Sequence, residues 1–311
     1  MKKNDEINTK NKTGATSSSL SRRLGWILPL FLLFSLSIQA QLLWKISGKD
    51  LTKPSYLFGT HHLIPISFLD SVPGLFKAFG NCETVVGEMI LNNIDANAQI
   101  MQAAMLPQGI TMDSLLKKDD YTLVDAELKA VLKFGLKELG LMNPSIIRTM
   151  YELEVYKHAT GHSEDVQSDS YFQLVAGHKN MKIIGLEGIE EQINLLFGNK
   201  DLKREAQLLV ETIRHKTEIV IQINTLNNAY RAGKIEKLVD LAKKQDDKPS
   251  MTDEEYTAMI DNRNFNWLKL LPCYMKESSC FIAVGALHLG GENGLVKQLR
   301  KKGYKVRRVK K

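Results

Sequence analysis

Short apolar runs bounded by glycine or proline alternate along the chain with longer segments whose apolar residues recur every three or four positions. Runs of the first kind predict buried strands, and segments of the second kind predict helices with one apolar face. Strands are expected at residues 41–47, 55–58, 84–86, 182–185, 281–285 and 304–309. Helices are expected at residues 93–105, 119–134, 144–159, 169–177, 189–196, 201–232, 234–244, 252–271 and 293–302.

The order of these elements predicts a sheet that draws its strands from both ends of the chain, around a helical middle. That order is typical of an α/β or α+β fold with a central mixed β-sheet flanked by helices. We therefore expect residues 41–311 to form a single domain, with a helical insertion at about residues 93–180 and 188–271.

The first 40 residues differ in pattern from the rest of the chain. A polar stretch leads to Arg22-Arg23, and an apolar run of about 15 residues, 24–38, follows it. Such a run is short for a membrane span and suits the apolar region of a signal peptide, with the small residue Ala40 before a cut. We expect residues 1–40 to be a signal peptide or, if uncleaved, an anchor that associates with a membrane through residues 24–38. The bulk of the chain is then exported, to a periplasmic or extracellular location.

The net charge of +7 belongs to the two ends of the chain. Residues 1–40 contribute +4 and residues 297–311 contribute +9, which leaves −6 for the stretch between them. No aromatic interleaving and no nucleic-acid-binding motif accompanies the basic residues, so a nucleic-acid partner is not expected. The basic end is interpreted as a solvated tail, with contact to an anionic surface as the alternative.

Export makes the three cysteines informative, because disulfides persist in oxidising compartments. Cys273 and Cys280 bracket a predicted turn before the strand at 281–285. A disulfide between them would fix how that strand enters the sheet. Cys82 is then left over as a buried thiol, and the alternative is three unpaired thiols.

Four predicted strands end in a glycine that is followed within three residues by a histidine or a glutamate. These side chains are His62 after Gly59, Glu88 after Gly87, Glu187 after Gly185 and His288 after Gly285. Strand ends are rigid, and we expect them to bring the four groups to one edge of the sheet. Imidazole and carboxylate bind divalent metals such as zinc or manganese. A bound divalent ion lowers the pKa of its water from about 15.7 towards 7, and a second carboxylate can then take or deliver the proton.

The segments around these residues resemble the TraB/PrgY/GumN family, to which the TIKI proteases are distantly related. The resemblance is carried by Tyr56-Leu-Phe-Gly-Thr-His-His62, Val85-Val-Gly-Glu88, Gly185-Leu-Glu187 and Val284-Gly-Ala-Leu-His-Leu-Gly-Gly-Glu-Asn-Gly294. Further matching positions are Leu43-Trp-Lys-Ile-Ser-Gly48, Asp169-Ser-Tyr-Phe172 and Arg263-Asn264. The similarity covers nearly all of the chain after residue 41.

This resemblance implies an α/β fold with two Gly-x-x-His motifs at a metal-dependent hydrolytic centre, which cuts peptide bonds in the TIKI branch. His62 and His288 are then predicted to be metal ligands or close partners of the metal. Glu88 and Glu187 are each predicted to be a ligand or the general base. Arg263 is expected to stabilise negative charge on a tetrahedral oxyanion.

The remaining histidines are not predicted to take part directly in the reaction. His61 departs from the family pattern, which usually has an apolar residue there, and is interpreted as facing solvent, with a supporting role behind the site as the alternative. His158 and His162 have helical spacing, but a glycine breaks the helix and no carboxylate lies between them, so a surface pair is expected. His178 and His215 are expected to be solvated.

The sequence therefore predicts an exported metal-dependent hydrolase, a peptidase that acts on peptides or exposed protein segments, with manganese, cobalt or zinc as the ion. Two alternatives stay open. One is a binding protein that sequesters a peptide or signal without cutting it. The other is a metal-independent, esterase-type hydrolase that uses the same histidines and glutamates as acid and base.

Overall fold

The computed structural model describes residues 42–91, 94–161, 167–198, 201–244 and 251–310. The expected signal peptide or anchor, residues 1–40, lies outside the described residues, as does His162. No helix in the described part of the chain is both long and apolar enough to cross a membrane.

A mixed sheet gathers its strands from both ends of the chain. Within the described residues its strands are β1 Leu43–Ser47, β2 Ser55–Thr60, β3 Thr84–Gly87, β4 Lys182–Gly185, β5 Cys280–Gly285 and β6 Lys305–Arg308. They lie in the order β4-β3-β5-β2-β1-β6. The predicted α/β fold with a mixed sheet is confirmed.

The four strands that carry the Gly-His and Gly-Glu motifs run parallel to one another. β2 pairs with β5, β5 with β3 and β3 with β4, whereas β1 runs antiparallel to both of its neighbours. The register places Thr60 opposite Gly285 and Gly87 opposite both Ala283 and Gly185. The carboxyl ends of the four strands are therefore nearly level, and the residues that follow them lie at one edge of the sheet.

The middle of the sheet is held by an aromatic cluster. Phe281 on β5 is fully buried, and its ring lies 4.7 Å from that of Phe172 and 5.3 Å from that of Phe79. Phe58 on β2 adds an edge contact with Phe172 at 5.6 Å. Burying a side chain of this size contributes about 1.5–3 kcal/mol. This cluster fixes β5 as the central strand of the sheet.

Helices cover the sheet and fill the middle of the chain. The α-helices are α1 Leu75–Gly80, α2 Ile94–Ala103, α3 Met112–Leu115, α4 Lys118–Leu132, α5 Leu136–Leu139, α6 Pro144–Thr160, α7 Ser168–His178, α8 Ile189–Phe197, α9 Leu202–Arg214, α10 Lys216–Arg231, α11 Ile235–Lys243, α12 Asp253–Tyr256, α13 Asn262–Glu277 and α14 Leu295–Lys301. A π-helical turn, Thr257–Asp261, joins α12 to α13, and 3-10 turns lie at Ile66–Ser71 and Ala286–Leu289.

The helical middle has an apolar core of its own. Leu128 on α4, Ile147 and Tyr151 on α6, and Leu209 on α9 are fully buried together. The side chains around the sheet form a separate buried cluster. The helical middle therefore packs chiefly on itself. The assignment of residues 41–311 to a single domain stays a prediction.

The long helix expected at residues 201–232 is divided in two at His215. The backbone of this residue leaves helical geometry, at φ −111° and ψ 29°, between α9 and α10. The break lets α9 pack in the helical core while α10 reaches the sheet. There the Tyr230 hydroxyl donates a hydrogen bond to the Gly59 carbonyl at 2.8 Å.

The disulfide expected between Cys273 and Cys280 is wrong. The helix that was expected to end at residue 271 runs through Pro272 to Glu277, so Cys273 lies on an exposed turn of α13 and Cys280 begins the buried strand β5. Proline weakens a helix, but the buried side chains of Leu271 and Met275 hold the segments on both sides of it. All three cysteines are free, as in the alternative interpretation.

Candidate functional site

A cleft of about 510 Å³ opens at the carboxyl edge of the parallel strands. Of the predicted site residues, His62, Glu88, Arg263 and His288 line it, and Glu187 lies beside them through its bonds to Arg263. The level strand ends described above explain this convergence. Glu88, Glu187 and His288 contact Arg263 at this edge, whereas His62 lies in the same cleft apart from them.

The Arg263 guanidinium is the centre of the polar cluster. Its Nε donates to Glu187 Oε1 at 2.7 Å, and its Nη2 donates to Glu88 Oε2 at 2.6 Å and to Glu187 Oε2 at 3.0 Å. Its Nη1 donates to the Met259 carbonyl at 3.2 Å and lies 3.3 Å from His288 Nε2. Burial alone would lower the pKa of Arg263, but the bonds to Glu187 and Glu88 raise it. The cation is therefore permanent and uses all five of its N–H groups.

The backbone before Arg263 explains how it reaches three strands. Arg263 is the second residue of α13, directly after the π-helical turn Thr257–Asp261. A π-turn inserts an extra residue and is found frequently at functional sites. The side chain is nine-tenths buried, so its orientation is set by the fold.

Glu187 serves as the fixed counter-ion of Arg263. Besides two bonds from Arg263, its carboxylate accepts one from the Trp267 indole at 2.7 Å and one from the Gln192 amide. Its side chain is only 8% exposed. A carboxylate that already accepts four hydrogen bonds has little capacity left for a substrate. Glu187 therefore positions the guanidinium.

Glu88 is the carboxylate that reaches the cleft. Its side chain is 29% exposed, and Oε1 accepts a 2.8 Å hydrogen bond from the Gly285 amide. A Cβ at Gly285 would lie 3.3 Å from the same oxygen, so a side chain there would crowd the carboxylate. Burial alone would raise the pKa of Glu88, but His288, Arg263 and the Gly285 amide together lower it. Glu88 is therefore an ionised carboxylate at neutral pH and is partly accessible from the cleft.

His288 is held as a neutral ring in a defined tautomer. Asn264 Nδ2 donates to the carbonyls of His288 and Asn293, at 3.2 and 3.1 Å, so Asn264 Oδ1 is the acceptor for His288 Nδ1 at 2.8 Å. His288 Nδ1 then carries the proton, and the lone pair of Nε2 accepts from Arg263 Nη1 at 3.3 Å, with Glu88 Oε1 3.8 Å from the same nitrogen. Burial lowers the pKa of His288 to about 4, a shift that Glu88 opposes and Arg263 reinforces.

His62 lines the cleft but does not join the Arg263 cluster. Its side chain is 58% exposed, and Nδ1 lies 2.6 Å from Gln167 Oε1 and 3.8 Å from Asp169 Oδ1. These partners lie at the start of α7. His62 is therefore an exposed imidazole at the entrance of the cleft, whereas His288 is buried in its floor.

The interpretation of His61 as a solvent-facing residue is wrong. Its ring is partly buried, lies 5.0 Å from the Tyr230 ring, and accepts a 3.3 Å hydrogen bond from the Leu63 amide. Burial, followed by the nearby His62 and Arg231, lowers the pKa of His61 to about 4. His61 lines the cleft because the chain turns immediately after β2 instead of continuing as a strand.

The predicted ligand set does not fit a divalent metal in this arrangement. Glu88 and Glu187 direct oxygen atoms to the guanidinium of Arg263, which lies between the carboxylates where an ion would have to lie. His62 is bonded through Nδ1 at the start of α7 and lies outside the Arg263 cluster, whereas His288 Nε2 lies 3.8 Å from Glu88 Oε1. Among the described residues, no group of three or more His, Cys, Asp or Glu side chains is placed to hold a metal ion.

An apolar wall faces the polar floor of the cleft. It is formed by Leu195, Leu196, Leu226, Leu238, Met259 and Ile260. A cleft of this size with apolar walls and a few converging polar groups is the usual form of a ligand site. Asn264, Trp267 and Gln192 were given no role by the sequence, because an amide or an indole has no chemistry of its own that marks it.

The fold and the site define an α/β protein whose polar cleft lies where parallel strands end in Gly-x-x-His and Gly-Glu segments. A model of the TraB/PrgY/gumN family matches residues 42–308. The chain belongs to this family, and the resemblance carried by the four motifs is confirmed. Comparison with curated proteins and with solved structures finds no match.

Proposed function

We propose that the protein is a hydrolase that cleaves peptide bonds by general acid–base chemistry at Glu88, with His288 orienting the attacking water and Arg263 stabilising the oxyanion. The observation that carries the proposal is the juxtaposition of an ionised, accessible carboxylate with a neutral imidazole and a fixed cation. Perturbed titratable groups that converge in a cleft mark functional sites. Family membership is consistent with the proposal but does not establish it.

In the proposed reaction Glu88 takes a proton from a water molecule as that water attacks the scissile carbonyl. The lone pair of His288 Nε2 accepts a hydrogen bond from the same water and orients it. The proton on Glu88 then passes to the leaving amine, which balances the reaction. General acid–base catalysis of this kind typically contributes 10²–10⁴-fold.

Arg263 would stabilise the oxyanion through Nη1. Its bond to His288 Nε2 is the longest of the guanidinium contacts, at 3.3 Å, so it is the one most easily exchanged for a substrate oxygen. The other donors are fixed by Glu88, Glu187 and Met259. A preorganised donor of this type is worth about 3–4 kcal/mol in a transition state.

A second candidate function is peptide binding without cleavage. The observation that favours it is that every N–H of Arg263 already has an acceptor, so no free donor awaits an oxyanion. The apolar wall would then hold a side chain of the bound peptide. This candidate predicts affinity without turnover.

The test is incubation of the purified protein with a peptide library in ¹⁸O-labelled water, read by mass spectrometry. New carboxyl termini that carry ¹⁸O are expected from the wild type, and Glu88→Gln should lower their yield at least a hundredfold. Glu154→Gln is the matched control, because Glu154 bonds the exposed His158 on α6. The proposal fails if no condition, including added manganese, cobalt or zinc, produces labelled termini. Binding in the absence of cleavage then supports the second candidate.

The role of a divalent metal is resolved by the same assay with a chelator. Hydrolysis that survives chelation fits the Arg263-centred geometry. Hydrolysis that stops, and returns with manganese, cobalt or zinc, requires Arg263 to withdraw from between the carboxylates. In that event His62, Glu88, Glu187 and His288 are the ligands to test first.

We further propose that the protein acts after export, on peptides or exposed protein segments in the periplasm or outside the cell. The support is the pair Arg22-Arg23 followed by the apolar run 24–38. N-terminal sequencing of the protein from fractionated cells tests the proposal. A mature terminus near residue 41 is expected, and an intact chain in the cytoplasmic fraction contradicts it.

A further inference from the structure

A second concave surface lies on the sheet away from the cleft. It is a groove of about 690 Å³ formed where β1 and β6, at one edge of the sheet, meet α1. Its cationic lining residues are Lys45, Lys77, Lys305, Arg307, Arg308 and Lys310. None of the described residues that line it is acidic, and it shares no lining residue with the cleft.

The strand register places three of these cations, Lys45, Lys305 and Arg307, on one face of the sheet. Lys45 lies opposite Arg307, and Ser47 lies opposite Lys305. Residues directly opposite each other share a face of the sheet, and like charges in such pairs are destabilising. The other face of the same strands is buried, as Ile46 shows. The arrangement therefore brings three cations together at an energetic cost that the fold itself does not require.

Three of the groove cations lack the acidic partner that other lysines of the described chain have. Lys53 is paired with Glu83, and Lys301 is paired with Glu292. In the described part of the chain, Lys45, Lys305 and Arg307 form no such ion pair. Residues 41–296 carry a net charge of −6 and residues 297–311 carry +9, and four of the six groove cations belong to this second, basic segment.

We propose that this groove binds a soluble ligand that carries several phosphate groups. Its volume lies within the range of about 300–1,000 Å³ that small-molecule sites occupy. Tyr56, which is hydrogen-bonded to Asn81, adds neutral polar groups to the lining. The cations lie inside a concavity, which suits a compact polyanion and not the flat surface of a bilayer. Several phosphates are required because one would leave most of the cations unmatched.

The test is calorimetric titration of the protein with inorganic tripolyphosphate at two salt concentrations. We expect binding that weakens with salt, since exposed charges are screened, and a loss of at least tenfold in Lys305→Glu/Arg307→Glu. Lys118→Glu/Lys137→Glu is the matched control, with the same change in net charge on exposed helical positions, and should change affinity less than twofold. Lys305→Arg/Arg307→Lys should bind as the wild type does.

Three outcomes would overturn the proposal. The first is an absence of tripolyphosphate binding at millimolar concentration. The second is an equal loss of affinity in the groove and control variants, which would mean a general charge effect. The third is binding to phosphatidylglycerol vesicles but not to tripolyphosphate, which would assign the surface to a membrane. If Lys305→Glu/Arg307→Glu does not fold, Lys305→Gln with Arg307→Gln replaces it in the same comparison.

Discussion

Arg263→Met is the substitution that most directly tests the described site, because Met keeps an unbranched apolar stem and removes the charge and the hydrogen-bond donors. Arg263 is 10% exposed and pairs with two carboxylates. Removing one partner from a buried ion pair is destabilising by about 3–5 kcal/mol, since the other partner is left charged and unpaired. We therefore expect a loss of that size in the free energy of unfolding, or roughly 6–20 °C in Tm for a chain of this length.

The loss should depend on pH in a defined direction. In the wild type the pKa of Glu88 is lowered, so its contribution to stability is present above the ordinary value of about 4.3 and is lost as the pH falls through the lowered pKa. In the variant burial dominates and raises that pKa, so the ionised carboxylate is penalised at high pH. The deficit relative to the wild type should therefore be larger at pH 8 than at pH 5.

The assay is urea unfolding of both proteins at pH 5 and pH 8. Arg204→Met is the control, because Arg204 makes a bidentate pair with Glu255 in which both side chains are 38% exposed. That exposed pair should be worth about 1 kcal/mol or less. The reasoning is refuted if Arg263→Met loses no more than Arg204→Met, or if its deficit is the same at both pH values.

Three further predictions concern other parts of the structure. Since burial lowers the pKa of His288 to about 4, its neutral ring contributes stability that is complete above about pH 6.5 and is lost towards pH 4, by roughly 3 kcal/mol. His288→Gln should flatten the dependence of unfolding free energy on pH in that window, and an unchanged slope would contradict the assignment. Tyr230→Phe leaves the buried Gly59 carbonyl without its donor and should reduce stability by about 1–3 kcal/mol in urea unfolding; a loss below about 0.5 kcal/mol would mean that water replaces the hydroxyl. Maleimide should label only Cys273 in the native protein and all three thiols after denaturation, and a labelling pattern that depends on prior reduction would reveal a disulfide.

The sheet could be predicted from the sequence because its strands carry local signals. Apolar runs such as residues 281–285 end at glycine, and the structure begins or ends each predicted strand within a few residues of the expected position. Helix ends were harder to predict, because tertiary packing decided them. The helix expected at residues 252–271 continues through Pro272, because Leu271 and Met275 are buried on the two sides of it.

The sequence could identify the charged residues and histidines of the site, but not the hydrogen bonds that join them. His62, Glu88, Glu187 and His288 share a sheet edge because parallel strands end level, which a pattern of strands and glycines can indicate. The central position of Arg263 depends on the geometry of a π-turn and on the Trp267 and Gln192 bonds to Glu187. The sequence shows only that an arginine lies on a helix about 75 residues further along, so it could not distinguish a cation between the glutamates from a metal.

The positions of the Arg263 cluster residues along the chain determine when the cluster can form during synthesis. Glu88 and Glu187 are separated from Arg263 by 175 and 76 residues. A nascent chain that has exposed both glutamates but not α13 holds two acidic strand ends with nothing to neutralise them. The Arg263 cluster can therefore form only when the last sixth of the polypeptide has emerged, and any activity that depends on it is withheld from incomplete chains by topology alone.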